Sequence, residues 1–438
     1  DLEGSRFRPQ PKSFNLQSAM PLSEGFAKLA DAKPPQQDFN LAAQASECPS
    51  TVPIPQFADE TAEVLDPATD VVAGEGYCLV YLSDPDSVTG GTKDEVSATM
   101  AAVVKRYKEV IYGDTFADIG AYKFIPTLVI VDVTDDSVWN TQLVLSGVHS
   151  SEISTTANRP LVFIASDFSV IPALQATEAA ALKRLWHGTV AHEMQHAVMD
   201  YYRGKSGGNA ETIAVDEGIA HFMEDVFGYG EENFPIYSGA AISLFPDGLE
   251  PIIKGSGVAP SEVNSASARG AAAAFIYYLQ SQKGGVTFTD GVVSGGGGFD
   301  YVKAVVKSTG TIGTQSLKAP FTEDWVEVVG GYLAAMVLDG TTIEPESGAY
   351  QAQNPIAGIT CLNGATDKTF GMSFNGYLGN INRITEGSYE SINDQEGAIE
   401  VNQYMTYPTL YEVADPAAKI TVGFPDATGA GVSVVRIK

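Results

Sequence analysis

The chain has 438 residues, 44% of them hydrophobic, so we expect a folded protein with two or three domains. Its formal net charge of −28 argues against nucleic acid as a partner, because phosphates repel an acidic surface. No apolar run approaches the roughly 18–20 residues that cross a bilayer, so we expect no transmembrane segment.

The first part of the chain shows little regular pattern. Prolines and glutamines cluster at residues 33–38, and further prolines follow at Pro49, Pro53 and Pro55. Such residues interrupt helices and strands. We therefore interpret residues 1–75 as an irregular segment that wraps the folded part or acts as a pro-segment.

The chain contains three cysteines, so at most one disulfide forms within it. A bridge between Cys48 and Cys78 is conceivable in an oxidising compartment. With Cys361 so far away, the spacing excludes a cysteine-based zinc site, and a metal would need histidine and carboxylate ligands. The sequence begins at Asp1, and we expect an extracytoplasmic protein, secreted or anchored at the cell surface through a leader that has been removed.

Regular patterns begin near residue 76, and residues 76–230 form one predicted unit of strands and helices. The predicted strands are apolar and rich in β-branched residues, at 78–82, 127–133 and 160–165. The predicted helices place apolar residues at helical spacing, at 97–112, 177–202 and 210–227.

The second half of the chain changes character twice. Residues 231–340 are predicted to be mainly helical, with segments at 266–280, 301–308 and 321–338. After Gly340 the composition turns to short strands with glycine, asparagine, threonine and proline. We interpret residues 341–438 as a small β domain of sandwich type, so the predicted fold class is α+β.

The most informative run is HEMQH at residues 192–196, in the middle of the long predicted helix. Positions four apart lie on one helix face, so His192 and His196 can share a zinc ion at about 2.0–2.1 Å. Glu193 lies beside them, where a carboxylate can reach a water molecule on the metal. That arrangement predicts metal-assisted hydrolysis with Glu193 as the general base.

A catalytic zinc ion needs a third protein ligand and one open position. The pattern HExxHxxGxxH would place glycine at 199 and histidine at 202, where this chain has Met199 and Tyr202. The alternative is a carboxylate on the following helix, and Glu217 in the run VDEGIAH lies 21 positions after His196. Gly218 would let the two helices approach closely.

Several neighbouring groups leave alternatives open. His221 shares the helix face of Glu217 and could hydrogen-bond to a ligand, bind the metal directly or be structural. Glu224, seven residues after Glu217, is the reserve carboxylate ligand. The remaining groups are expected to have structural or solvent-exposed roles: His149 in an exposed loop, His187 in packing or capping, and Asp216 and Asp225 in solvent or hydrogen-bonded to a ligand.

At these residues the chain resembles the hyicolysin-like family of gluzincin zinc metallopeptidases. The likeness is strong in TVAHEMQHAVMDYY and VDEGIAHFMEDVFG and looser over about residues 125–340. It implies a zincin-like catalytic domain: an upper subdomain over 76–230 with a twisted sheet and the two site helices, and a helical lower subdomain over 231–340. It also implies an extended peptide along an edge strand, near residues 161–166, with zinc ligands His192, His196 and Glu217 and Glu193 as the acid/base.

One departure from the resemblance concerns the oxyanion. Related gluzincins often place a tyrosine shortly before a basic residue and a glycine, whereas Ser267 and Ala268 precede Arg269 here. Candidates for the missing donor are side chains with a polar end that can donate a hydrogen bond: Tyr237, Tyr277, Tyr278, Arg269 and His221.

We therefore expect a zinc-dependent peptidase that cleaves peptide or protein substrates. One alternative is a surface adhesin or carbohydrate-binding protein with a structural zinc ion, which the β-rich C-terminal region favours. A second is a zinc hydrolase acting on a non-peptide amide. The presence of Glu193 argues for chemistry, because a structural zinc site does not need it.

Overall fold

The computed structural model describes residues 47–54, 61–132, 146–171, 174, 177–227, 266–283, 287–289, 292–294, 299–325, 327–329, 332, 382–385 and 409–412. Over these residues the protein is mixed α and β, as the sequence predicts, with a five-stranded sheet and helices packed on it. Most of the predicted C-terminal β domain, residues 341–438, and Tyr237 lie outside the described residues.

The strands are β1 (Thr51–Ile54), β2 (Thr61–Val64), β3 (Val71–Gly74), β4 (Tyr77–Leu82), β5 (Thr127–Val131), β6 (Gly147–His149), β7 (Leu161–Ala165), β8 (Thr287–Thr289), β9 (Val292–Ser294), β10 (Asn382–Thr385) and β11 (Thr409–Glu412). The helices are α1 (Lys93–Lys105), α2 (Ser151–Thr156), α3 (Ala179–Asp200), α4 (Ile213–Val226), α5 (Ala266–Gln282), α6 (Asp300–Lys307) and α7 (Thr314–Lys318). Single π-helical turns, Arg106–Ile111 and Tyr201–Lys205, extend α1 and α3. The short pairs β8–β9 and β10–β11 are antiparallel and parallel.

The main sheet has the order β3-β4-β5-β7-β6, with β4, β5 and β7 parallel at its centre and antiparallel strands at both sides. Every residue of β5 (TLVIV) and β7 (LVFIA) is buried. Continuous apolar runs of this kind are typical of parallel strands covered on both faces. The predicted strands 127–133 and 160–165 therefore form the middle of the sheet.

The position of β7 corrects the expectation that the edge strand lies near residues 161–166. β7 pairs with β5 on one side and with β6 on the other, so it has no free edge. The described strand at this border is β6, only three residues long. So short a strand gives no recognisable alternation, and only its pairing with β7 identifies it.

Helix α3 lies against the sheet and is buried around most of its circumference. The indole Nε1 of Trp186 donates to the carbonyl oxygen of Ala165 at 2.8 Å, which fixes the helix to the end of β7. From the other side, the Tyr107 hydroxyl donates to the Ala191 carbonyl at 2.8 Å, one residue before the HEMQH run. The two bonds hold the middle of α3 in register with the sheet and with α1.

The segment predicted to be irregular contains ordered strands. β1 and β2 form an antiparallel pair, and β3 joins the main sheet next to β4. A disulfide joins Cys48 to Cys78 in β4, the bridge that the sequence allows. These strands are short and contain little apolar alternation, so long-range pairing decides them. Among the described helices, none combines the length and apolar character needed to cross a membrane.

A buried ion pair, which we name the Arg203 cluster, joins the turn after α3 to α4, α6 and α7. Arg203 Nη2 lies 2.7 Å from Glu211 Oε2, and their side chains are 1% and 0% exposed. The guanidinium also donates to the carbonyls of Val305 and Thr311, and the Ser316 hydroxyl donates to Glu211. The cluster consists of Arg203, Glu211 and these protein partners.

Candidate metal centre

Two helices bring the predicted ligands together. His192 and His196 lie one turn apart on α3, and Glu217 lies on α4, which packs against α3 and against α5. A Cβ atom at Gly218 would lie 2.9 Å from the carbonyl carbon of Ala272 in α5. Gly218 therefore permits the close approach of α4 to α5, and not to α3 as the sequence suggested.

The three predicted ligand atoms converge. His192 Nε2 lies 3.1 Å from His196 Nε2 and 3.2 Å from Glu217 Oε2, and the third side of the triangle is 3.8 Å. Four ligands at the zinc distance of about 2.0–2.1 Å would be spaced by roughly 3.3 Å. Glu217 Oε2 is also buried, with no well-aligned hydrogen bond from any described donor. The donor set and its spacing therefore fit a zinc ion.

In each of the two histidines, the ring nitrogen that points away from the other ligand atoms lies next to a carboxylate. His192 Nδ1 lies 2.6 Å from Glu224 Oε1, and His196 Nδ1 lies 3.0 Å from Asp216 Oδ1. Carboxylates in this position fix the ring orientation of metal-binding histidines. Glu224, weighed from sequence as a reserve ligand, therefore contacts the remote nitrogen of His192. Asp216 also contacts a predicted ligand.

Glu217 is oriented from α5. Arg269 Nη2 lies 3.2 Å from Glu217 Oε1, while Oε2 faces the two histidines. One oxygen of the carboxylate is thereby paired with Arg269, and the other faces the two imidazole rings. Arg269 was a candidate oxyanion donor, and the geometry places it against the carboxylate of the predicted ligand.

The carboxylates around the two histidines favour protonated imidazoles at this site. Burial by itself lowers the pKa of His192, but contacts with Glu217 and Glu224 outweigh it and raise that pKa to about 10. Burial likewise opposes charging of His196, whose pKa the Asp216 carboxylate raises to about 9. A metal ion bound by the two imidazoles would displace these protons.

The pKa values of the two carboxylates shift downward, in the opposite direction to those of the histidines. Burial raises the pKa of Glu217, but the positive imidazoles of His192 and His196 outweigh it and hold it well below its usual range. Glu224 behaves similarly: burial raises its pKa, and the His221 and His192 rings bring it down to about 2. Both carboxylates are therefore ionised at neutral pH, which suits a divalent cation.

Glu193 lies on the same side as the ligands. One atom each of His192, Glu193 and His196 lies within 4.8 Å of the others, and Glu193 is 7% exposed. Strand β6 passes next to it, because a Cβ atom at Gly147 would lie 3.0 Å from Glu193 Cγ and 2.7 Å from Thr189 Cγ2. Glycine at 147 lets the backbone of the sheet border approach the carboxylate.

The remaining predicted residues have different surroundings. His221 is buried and lies 2.8 Å from Glu224 Oε1 through its Nδ1 atom. The Tyr278 ring is buried against Tyr332, with 5.4 Å between ring centroids. The side chain of Tyr277, on α5, lies outside the described part of the structure. An oxyanion donor is therefore not assigned.

Two histidines away from the site are buried. His149 was expected to be exposed, but its side chain is 4% exposed and its Nε2 lies 3.5 Å from Asp200 Oδ2. Its position at the end of β6, against α3, explains the burial. His187 packs edge-on to Trp186, in agreement with the predicted packing role.

No protein-family model matches this chain, and a search of curated proteins finds no significant match.

Proposed function

We propose that this chain is a zinc-dependent peptidase of the gluzincin type. The observation that carries the proposal is the convergence of His192 Nε2, His196 Nε2 and Glu217 Oε2 at 3.1–3.8 Å, with Glu193 beside the two histidines. A structural zinc site has no use for that fourth side chain, so its placement supports hydrolysis over a purely structural metal.

In this proposal His192, His196 and Glu217 hold the metal. A zinc ion bound there would acidify a water molecule and polarise the carbonyl group of a scissile amide. Glu224, Asp216 and Arg269, each in contact with one of the three, keep the ligand atoms directed inward.

Glu193 supplies the proton transfers. Its carboxylate accepts a proton from the attacking water and then delivers that proton to the nitrogen of the leaving amine, so the residue ends in its starting state. Its burial keeps the carboxylate next to the ligand atoms, within the 4.8 Å that joins it to His192 and His196. The side chain needs no large movement for either transfer.

Strand β6 would hold the substrate. Ser146 O accepts a hydrogen bond from Ala165 N, so Ser146 belongs to a hydrogen-bonded pair of the ladder with β7. In an antiparallel ladder the next residue directs its N–H and C=O away from the partner strand. By this pattern Gly147, which is buried beside Glu193, would direct both groups away from β7, to the side where an extended peptide would add to the sheet as a further strand.

The proposed function also implies a division of the chain into subdomains and an extracytoplasmic location. The sheet with α3 and α4 would be a zincin-like upper subdomain over residues 76–230, and α5 to α7 part of a helical lower subdomain over 231–340. Residues 341–438 would form a separate β domain. The Cys48–Cys78 disulfide supports an extracytoplasmic location, since such bridges persist in oxidising compartments.

The test compares Glu193→Gln with wild type on an unfolded protein substrate. We expect unchanged zinc content and a loss of cleavage of about 10²–10⁴-fold, because the substitution removes the general base and keeps the shape. Glu178→Gln, the same change at the exposed start of α3, should retain full activity.

Three results would contradict the proposal: wild-type turnover by Glu193→Gln, cleavage that survives removal of the metal by a chelator, or a zinc-loaded wild type that cleaves no peptide. Activity on small amides without activity on peptides would favour the non-peptide hydrolase.

A further inference from the structure

His221 lies beside the proposed metal position. Its side chain is 5% exposed, and its Nε2 atom lies 4.0 Å from Glu217 Oε2. The His221 and His192 ring centroids are 4.4 Å apart. One ligand atom each of His192, Glu217 and His221 lies within 4.8 Å of the others, so this trio converges much as the predicted ligands do.

The orientation of His221 is set by the carboxylate that also orients His192. Glu224 Oε1 lies 2.6 Å from His192 Nδ1 and 2.8 Å from His221 Nδ1. An ionised carboxylate only accepts hydrogen bonds, so each neutral ring carries its proton on Nδ1 and its lone pair on Nε2. One oxygen atom therefore gives two imidazoles the tautomer that binds metals.

We propose that His221 is a fourth metal-binding side chain, held in ligand orientation by Glu224. The inference rests on the proposed metal centre and extends it to three imidazoles and one carboxylate. The 4.0 Å separation from Glu217 exceeds the roughly 3.3 Å spacing of zinc ligands by less than about 1 Å. Hydrolytic zinc accepts a fifth ligand, so four protein side chains leave one position for the reaction.

A buried histidine with a structural role need not face the ligand atoms. His187, on α3, provides the contrast, since it packs edge-on to Trp186 at a ring-centroid distance of 5.4 Å and hydrogen-bonds to the Gly90 backbone. His221 packs instead against the ring of His192 and contacts the same carboxylate oxygen. Its surroundings are those of a ligand.

The experiment counts imidazole ligands in the cobalt(II)-loaded full chain. Cobalt(II) accepts the nitrogen and carboxylate ligands that zinc uses. In a proton NMR spectrum, each coordinated imidazole gives one strongly shifted Nδ1–H signal that disappears in deuterated water. We expect three such signals in wild type, two in His221→Phe, and three in the control His187→Gln.

Two signals in wild type would overturn the inference, and this count stands even where His221→Phe fails to fold. Three signals in both wild type and His221→Phe would also overturn it. Zinc-dependent peptide cleavage is measured separately on the zinc-loaded protein. Three signals without cleavage would leave the inference standing and refute the proposed function. Two signals with cleavage would do the reverse, and a chain that takes up no metal would refute both.

Discussion

The Arg203 cluster and the candidate metal centre are two buried groups of charges on the same pair of helical segments, and they differ in how their charges are matched. In the Arg203 cluster the guanidinium and the Glu211 carboxylate meet at 2.7 Å, with backbone carbonyls and the Ser316 hydroxyl as further partners. In the candidate metal centre, Glu217 Oε2 faces two imidazole nitrogens without a well-aligned donor.

The comparison shows how a group of charges that stabilises the fold differs from a group that could bind a cation. Buried charges are costly unless they are paired, and in the Arg203 cluster the protein itself supplies the counter-charge. A metal centre needs negative charge that the protein leaves unmatched, and at the candidate site neighbouring carboxylates outweigh burial and raise the pKa values of His192 and His196. The two clusters should therefore respond differently to the same carboxylate-to-amide change.

The largest effect is expected on metal affinity. Glu217→Gln removes a ligand, so the zinc dissociation constant should rise by more than the roughly 100-fold that losing an outer hydrogen-bond partner costs. Glu211→Gln should leave that constant unchanged, because its carboxylate contacts no ligand. Competition with a chromophoric chelator measures both. Equal losses in the two variants would remove the distinction between the clusters.

For the free energy of unfolding the order of the two clusters should be reversed, with the larger loss in the Arg203 cluster. In zinc-free protein, Glu211→Gln should lower the free energy of unfolding by about 3–5 kcal/mol, because it leaves the Arg203 guanidinium buried without its counter-ion. Glu323→Gln breaks a 3.0 Å pair with Lys283 in which the carboxylate side chain is 53% exposed, and should cost about 0–1 kcal/mol. Urea unfolding measures both variants. Similar small losses would mean that the Arg203 cluster does not stabilise the fold.

His187, a buried histidine with a lowered pKa, should make the free energy of unfolding depend on pH. Burial, aided by the Lys183 charge, lowers the pKa of His187 from 6.5 to about 4. The unfolded chain therefore binds more protons between these values, so stability falls as pH drops from about 6.5 to about 4 and then levels off. The contribution is up to about 3 kcal/mol. His187→Gln should flatten the curve in that window, and an unchanged slope would contradict the assignment.

The smallest effect concerns the outer partner of His196. Asp216→Asn keeps the shape of the side chain but removes the charge 3.0 Å from His196 Nδ1, so zinc affinity should fall by about 10–100-fold. Asp300→Asn, the same change at a carboxylate whose side chain is 72% exposed, should have no effect. Calorimetric zinc titration compares them, and equal affinities would show that Asp216 does not orient the imidazole.

Much of the fold follows from local pattern. Helix α3 was expected at 177–202 and spans Ala179–Asp200, and α4 was expected at 210–227 and spans Ile213–Val226. Both contain long runs of apolar residues at helical spacing, which dictate a helix whatever surrounds them. β6 and α2 were not predicted, because three and six residues are too few to establish a period.

The candidate site likewise has a part that local sequence pattern predicts and a part that it does not. Helical periodicity alone places His192 and His196 one turn apart, and the spacing of Glu224 from Glu217 already indicated a shared face. The sequence could not show that Glu224 contacts two histidines or that Arg269 approaches Glu217. The contacts of Glu224 with His192 and of Arg269 with Glu217 join residues 32 and 52 positions apart, on different helices, so no local pattern predicts them.

The sequence by itself determined the types of the candidate ligands, the spacing of two of them on one helix and the carboxylate beside them, since these depend on neighbours within one or two helical turns. Tertiary structure decided which strand borders the candidate site, which charges the protein itself matches and which carboxylate oxygen faces the two imidazoles. The physical reason is that pairing of strands and burial of charges depend on residues far apart in the chain, whose approach no local pattern encodes.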